Sequence, residues 1–236
     1  EVVHKNQADE MIAAAGRGEI DLISETVFTA LRLEQDAGME MRVLELKDSV
    51  RAYHSVILIR SDSNIHKLND LRGSRIAFED RGSTSGFFLP YVEMMKAGLN
   101  LVPEGGDQAR SDEVRYLFGG TEINVVGALI RRRVDAAAIS NLDLDDDEVI
   151  TDRFMLDIRV LHATRAVPRS VMLFRASLPE ETKQGLLDVL LDMHQSDAGT
   201  AVLRKYFKIR RFENKGASEA EGLDWARQAY KANQAR

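Results

Sequence analysis

Three consecutive hydroxyl residues form the segment of this sequence best suited to binding chemistry. Ser83, Thr84 and Ser85 follow the strand-like run 75–78, precede Gly86 and lead into a helix-like stretch. The first N–H groups of a helix lack internal partners and carry the positive end of its dipole. Glycines let the backbone approach a ligand closely, and hydroxyls add hydrogen-bond donors. The segment predicts an anion site, with an ordinary Ser/Thr helix cap as the alternative.

The familiar catalytic and metal-binding patterns are missing from the sequence. No Gly-Lys-Ser/Thr follows the hydroxyl segment, and Ser83 with Gly86 does not form a Gly-x-Ser-x-Gly elbow. The histidines show no His-Glu-x-x-His pair, and the acidic run 143–148 lacks the glycine and final glutamate of a calcium loop. We therefore expect no enzyme activity, no cofactor and no metal site.

Composition narrows the class of protein. The 236 residues are 44% apolar and 30% charged, as in soluble globular proteins, and the net charge of −6 argues against nucleic-acid binding. No apolar run approaches the roughly 18 residues of a membrane span. The absence of cysteine excludes disulfides and fits an extracytoplasmic location. The chain opens on Glu1 without a signal peptide, so we expect a targeting segment to have been removed or omitted.

Helical and strand-like patterns alternate along the chain. Apolar residues at helical spacing run from Ala8 to Ala15, and the continuous apolar run Val56-Ile57-Leu58-Ile59 predicts a strand buried on both faces. Further strand-like runs lie near 20–23, 41–46, 75–78, 114–118, 134–139, 159–161 and 170–174. The alternation predicts an α/β fold with helices layered on sheets.

Several of these segments together resemble a known family. They are Gly18-Glu19-Ile20-Asp21, Tyr53-His54-Ser55-Val56-Ile57, Asp70-Leu71-Arg72-Gly73, Ile76-Ala77-Phe78-Glu79-Asp80, Gly82 to Pro90, Val134-Asp135-Ala136-Ala137 and Val167-Pro168-Arg169. In this order they resemble the substrate-binding proteins of phosphate/phosphite/phosphonate ABC transporters, which have the type 2 periplasmic-binding-protein fold. The resemblance runs from about residue 8 to 207, and its most specific part is Ser-Thr-Ser-Gly with the following proline.

The resemblance implies two α/β lobes with a ligand cleft between them that closes on binding. Residues 1–60 and 167–236 would form one lobe, and residues 61–166 the other. Family members usually have a further strand and helix before the point where this chain begins. We therefore expect a trimmed chain or a shortened first lobe.

The resemblance also implies site residues. Ser83, Thr84 and Ser85 would hold the oxyanion, and Tyr53 matches an aromatic position that lines the cleft, with half-buried packing as its alternative. Glu25 and Thr26 follow a predicted strand, where ligands of α/β proteins gather, although a helix cap explains them nearly as well.

Two predicted site positions depart from the family pattern. Glu122 stands where phosphonate binders tend to have histidine, and Arg169 with Ser170 stands where they carry an acidic residue that meets the ligand amine. A carboxylate near a dianion is unfavourable at low dielectric. Either Glu122 is a helix-terminal acid facing away, or the ligand offers a cation or proton, which predicts zwitterionic or monoanionic ligands over orthophosphate.

These observations predict an extracytoplasmic solute-binding protein for a small oxyanion-bearing ligand, phosphonate-like, phosphate-like or zwitterionic. Its partners would be that small molecule and an ABC permease, with no nucleic acid and no membrane span of its own. The alternative is a ligand-sensing domain of a signalling receptor or kinase with the same fold.

Overall fold

The computed structural model describes residues 8–105, 110, 112–144, 146–205 and 208–234. The chain divides into two compact units: unit 1 comprises Glu1–Ala52 with Val167–Arg236, and unit 2 comprises Tyr53–Ala166. The sequence placed the first boundary between residues 60 and 61, whereas the compact units of the structure divide between residues 52 and 53. The strand Ser55–Arg60 pairs on both sides with strands of unit 2, and this pairing places it there.

The helices and strands follow one another as the alternating pattern predicts. The α-helices are α1 Ala8–Gly16, α2 Val27–Ala37, α3 Leu89–Lys96, α4 Glu122–Ile130, α5 Asn141–Leu144, α6 Asp152–Met155, α7 Glu180–Asp192, α8 Asp197–Lys205 and α9 Ala217–Gln234. The strands are β1 Leu22–Glu25, β2 Met39–Lys47, β3 Ala52–Tyr53, β4 Ser55–Arg60, β5 Arg75–Phe78, β6 Leu101–Pro103, β7 Val114–Phe118, β8 Ala136–Ser140, β9 Ile158–Ala163, β10 Val167–Pro168, β11 Val171–Arg175 and β12 Ile209–Glu213. Short 3₁₀ turns span Leu68–Leu71 and Met193–Gln195, and a π-helical turn spans Thr84–Phe88.

Unit 1 is built on an antiparallel sheet. Its described strands lie in the order β1-β11-β2-β12, with Leu22 opposite Phe174 and Val171 opposite Leu44. Helix α2 ends at Gly38, whose φ of 62° lies in the left-handed region and whose N–H donates to the Leu33 carbonyl. Such a glycine ends a helix at little steric cost, so the chain can turn directly into β2.

Unit 2 is built on a mixed sheet. Its described strands lie in the order β6-β7-β5-β8-β4-β9, parallel from β6 to β8 and antiparallel on both sides of β4. Val56 and Leu58 pack in one core, and Ile57 and Ile59 pack in the other. The predicted burial of this strand on both faces is confirmed. The parallel strands β5, β7 and β8 carry the segments that follow them to one edge of the sheet.

The mixed α/β architecture confirms the predicted fold class at the level of each unit. The sequence pattern did not predict strands β6 and β12. Strand β6 has only three residues, and β12 is rich in charged residues. Among the residues that the structure describes, no helix combines the length and hydropathy that a bilayer crossing requires.

Candidate functional site

The hydroxyl segment lies at the start of a continuous helical stretch in unit 2. Strand β5 ends at Phe78, and the π-helical turn from Thr84 leads directly into α3, which has Pro90 in its first turn. The strand, turn and helix start that the sequence predicted are therefore present.

Ser83 is the N-cap of this stretch. Its hydroxyl accepts a hydrogen bond from the Gly86 N–H at 2.8 Å, and its carbonyl accepts one from the Phe88 N–H at 3.0 Å. The capping interpretation therefore describes Ser83 in this structure, and contact of its hydroxyl with an anion stays a prediction.

Thr84 and Ser85 form the first turn of the stretch. Their exposed fractions are only 1% and 7%. A ligand that reaches this turn meets backbone N–H groups and hydroxyls with little surrounding water, where each hydrogen bond is stronger than at the surface. Their assignment as oxyanion ligands agrees with this position and stays a prediction.

Two glutamates meet beside this turn. Glu79 follows β5, and Glu122 is the first residue of α4. The Gly120 N–H donates to the Glu79 carbonyl at 2.8 Å, and this hydrogen bond holds the start of α4 against the end of β5. The side chains of Glu79 and Glu122 lie within hydrogen-bond reach of each other. Burial raises the pKa of Glu79 to about 7; the Ser83 hydroxyl lowers this pKa, and the charge of Glu122 raises it. At that distance a second carboxyl favours the protonated form of Glu79, which can then donate a hydrogen bond to Glu122.

Gly86 brings the Glu79 side chain onto the backbone of the turn. A Cβ atom at Gly86 would lie 2.5 Å from Glu79 Cβ, 2.6 Å from Glu79 Oε2 and 2.9 Å from Ser83 Oγ. Only glycine leaves room for this approach. The carboxyl of Glu79 is thus packed against the same turn that carries Thr84 and Ser85.

A second polar cluster lies in unit 1, around Glu45 of β2. Glu45 is 1% exposed, and Ser24 Oγ and Ser170 Oγ each donate to its Oε2 at 2.7 Å. Its Oε1 is buried and has no hydrogen-bond partner in the described part of the chain. Burial raises the pKa of Glu45, while the two serine hydroxyls, Lys47 and Arg169 lower it.

The predicted residues Glu25, Thr26 and Arg169 surround this cluster. Burial raises the pKa of Glu25 to about 7, a hydrogen bond from the Thr26 N–H lowers it, and the charge of Glu45 raises it. Thr26 is the N-cap residue of α2, but its side chain makes no capping hydrogen bond. Unit 1 therefore gathers these three predicted residues around a buried carboxyl.

Tyr53 lies in β3 at the start of unit 2 and is 3% exposed. This burial agrees with the packing alternative of the sequence prediction, and a role in lining a ligand site stays a prediction.

Sequence reasoning missed Glu79 and Glu45. Each was visible as a charge next to or inside an apolar run, Ile76-Ala77-Phe78-Glu79 and Val43-Leu44-Glu45-Leu46. A lone charge in such a run indicates a buried, hydrogen-bonded group. No group of three or more His, Cys, Asp or Glu residues suited to a metal occurs in the described ranges, and Asp145 of the acidic run lies outside them.

The sequence and the fold match known binding proteins. The family model described as "ABC transporter, phosphonate, periplasmic substrate-binding protein" matches residues 1–219. The phosphonates-binding periplasmic protein of Escherichia coli is 28% identical over 67% of this chain and 45% of its own length. The phosphate-import protein PhnD of Mycolicibacterium smegmatis is 25% identical over 76% of this chain and 52% of its own length. The chain thus spans about half the length of these two curated relatives.

A solved structure agrees over almost the whole chain. XAC2383 from Xanthomonas citri, solved bound to ATP, is 28% identical and superposes with a TM-score of 0.92 over 99% of this chain and 86% of its own. The resemblance found in the sequence is thereby confirmed, together with the periplasmic-binding type of fold. By sequence and by fold, this chain belongs to the family of periplasmic substrate-binding proteins of phosphonate ABC transporters.

Proposed function

We propose that this chain is an extracytoplasmic solute-binding protein that captures a small phosphonate- or phosphate-like oxyanion and delivers it to an ABC permease. The observation that carries the proposal is the buried hydroxyl turn at the start of the helical stretch 84–96, within a chain of this family. The family model and both curated relatives are described as transport or periplasmic binding proteins, which favours transport over ligand sensing.

The ligands named for the relatives have one chemical group in common. One binds phosphonates, one imports phosphate, and XAC2383 was solved with ATP. These ligands share phosphorus-bound oxygens with negative charge. A helix start with buried N–H groups and hydroxyls is suited to such oxygens because its donors and its dipole both favour negative charge.

Binding at this turn requires no covalent step. Hydrogen bonds from the first turn at Thr84 and Ser85 would hold the oxyanion, and the fixed backbone would limit the entropy lost on binding. The carboxyls near the turn oppose a fully ionised dianion, so the natural ligand is zwitterionic or carries at least one proton or hydroxyl.

A ligand screen tests the proposal. Protein freed of ligand by unfolding and refolding is screened by thermal shift against phosphate, phosphite, methylphosphonate, methanesulfonate and 2-aminoethylphosphonate. We expect a phosphorus oxyanion to raise the melting temperature, because a ligand that binds only the folded state stabilises it. If none of the phosphorus oxyanions shifts the transition or binds in calorimetry, the proposal is wrong.

Thr84→Ala locates the binding at the turn. We expect this variant to lose about 1–3 kcal/mol of binding free energy for the best ligand, the value of one hydrogen bond to a charged group. Thr182→Ala is the matched control, because Thr182 is exposed on α7 of unit 1. Unchanged affinity in Thr84→Ala, measured by calorimetry, would remove this side chain from the site.

A further inference from the structure

We infer that Glu79 and Glu122 act together as the acceptor of a ligand hydroxyl, so that the site selects oxyanions with a P–OH group over sulfonates. This inference rests on the proposed function, because it concerns the same turn of unit 2. It assigns a role in ligand selection to Glu79, which the sequence prediction did not include, and gives Glu122 a partner.

The first support is the placement of the two carboxyls. Glu79 is packed against Gly86, in the turn that would hold the oxyanion, so closely that no Cβ atom fits between them. Glu122 begins α4, which the Gly120 N–H ties to the Glu79 carbonyl at 2.8 Å. Thr121 caps this helix through the Asn124 N–H, at 3.3 Å. These hydrogen bonds fix the backbone from which the two glutamate side chains extend.

The second support is the local balance of charge. The groups that act on the Glu79 carboxyl are the Ser83 hydroxyl and the carboxyls of Glu122 and Asp80. No cation among the described residues forms an ion pair with Glu79. Arg81 instead lies over the Phe118 ring, with its Cζ 5.2 Å from the ring centroid. With no cation paired to Glu79 in the described part of the chain, the two carboxyls can lower their combined charge only by sharing a proton. The pair then carries one negative charge, and its carboxylate oxygens can still accept hydrogen bonds.

The chemistry of the ligand follows from this charge. A phosphonate or phosphate monoanion carries a hydroxyl that can donate to the free carboxylate oxygens while its other oxygens accept from the turn. A sulfonate has the same shape and charge but no hydroxyl, so it meets the negative pair without a hydrogen bond. An acceptor left unpaired in a partly buried position beside a like charge disfavours that ligand.

The test compares two probes of matched shape. Methylphosphonate and methanesulfonate are titrated into the wild-type protein by calorimetry at pH 6, where the phosphonate is a monoanion. We expect methylphosphonate to bind about 10- to 100-fold more tightly, the range of one hydrogen bond to a charged acceptor. Equal affinities would overturn the inference while leaving the proposed function intact, whereas binding of neither probe nor any other phosphorus oxyanion would refute the proposed function itself.

Glutamine variants test the shared proton. Glu79→Gln and Glu122→Gln each leave one carboxylate and replace the protonated partner with an amide that also donates. We expect each single variant to keep the preference for methylphosphonate. We expect the double variant to reduce it to within about threefold, since the negative charge that repels a sulfonate is then absent and a neutral amide oxygen accepts a hydrogen bond more weakly than a carboxylate does. A double variant that folds, as judged by circular dichroism, and keeps the full preference would contradict the inference. A merely structural pair would change the melting temperature without changing the ratio of the two affinities. If the double variant does not fold, the wild-type comparison and the single variants decide the question.

Discussion

Replacing Gly86 by alanine tests the close packing of the candidate anion site. The new Cβ would lie 2.5 Å from Glu79 Cβ, a distance that real Cβ contacts essentially never show. Because Glu79 Cβ is fixed to its backbone at the end of β5, rotation of the side chain cannot relieve the contact. The turn or the strand end has to move, and overpacking of this kind costs about 1–3 kcal/mol of unfolding free energy.

Gly127→Ala is the matched control, because it makes the same chemical change in the same unit. Gly127 lies inside α4, and a Cβ there would meet only the end of the Arg131 side chain, with Nη1 at 2.7 Å. That guanidinium can swing aside. Alanine is the better helix former, so we expect a gain of about 0.5–1 kcal/mol.

Urea unfolding followed by circular dichroism measures both variants against the wild type. The expected difference between the two alanine variants is about 1.5–4 kcal/mol, with Gly86→Ala the less stable. We also expect Gly86→Ala to weaken oxyanion binding, since the displaced turn carries Thr84 and Ser85. If Gly86→Ala is as stable as the wild type, or if the two variants shift stability equally, the proposed contact between Gly86 and Glu79 is refuted.

Two further predictions concern the buried cluster of unit 1. Glu25 has a pKa raised by burial from 4.5 to about 7, so the folded state binds more protons than the unfolded state between these values, and stability falls as pH rises through this window. Glu25→Gln should therefore stabilise the protein relative to wild type by about 1–3 kcal/mol more at pH 8 than at pH 4.5, measured by urea unfolding; equal differences at both pH values would contradict the assigned burial. Ser170→Ala removes one of the two hydroxyls that donate to the buried Glu45, and we expect a loss of about 1–3 kcal/mol in the same assay at pH 8. The exposed Ser177→Ala serves as its control, and a loss no larger than that of the control would show that Glu45 does not need this donor.

The sequence by itself determined the local features of this protein. The run Val56-Ile57-Leu58-Ile59 predicted a strand with two buried faces, and its residues do divide between two cores. The hydroxyl segment predicted a helix start, and Ser83 does cap one. Such features are visible because propensity, capping and burial periodicity act over a few neighbouring residues.

The unit boundary was decided by tertiary structure. The sequence resemblance placed residues 53–60 in the first lobe, whereas β4 pairs with β8 and β9 of unit 2. An apolar strand that is buried on both faces has the same pattern in either sheet. Only the hydrogen bonds with its neighbours assign it, and these depend on residues far along the chain.

The polar clusters were also decided by tertiary structure. Glu79 and Glu122 stand in separate segments, and Glu45 receives hydroxyls from Ser24 and Ser170 on two other strands. Each residue taken alone is an ordinary acid or serine. The pKa values of Glu79 and Glu45 are raised, and Glu45 receives its hydrogen bonds, because the contact between β5 and α4 and the strand order β1-β11-β2 place these side chains beside their partners and shield them from part or all of the surrounding water.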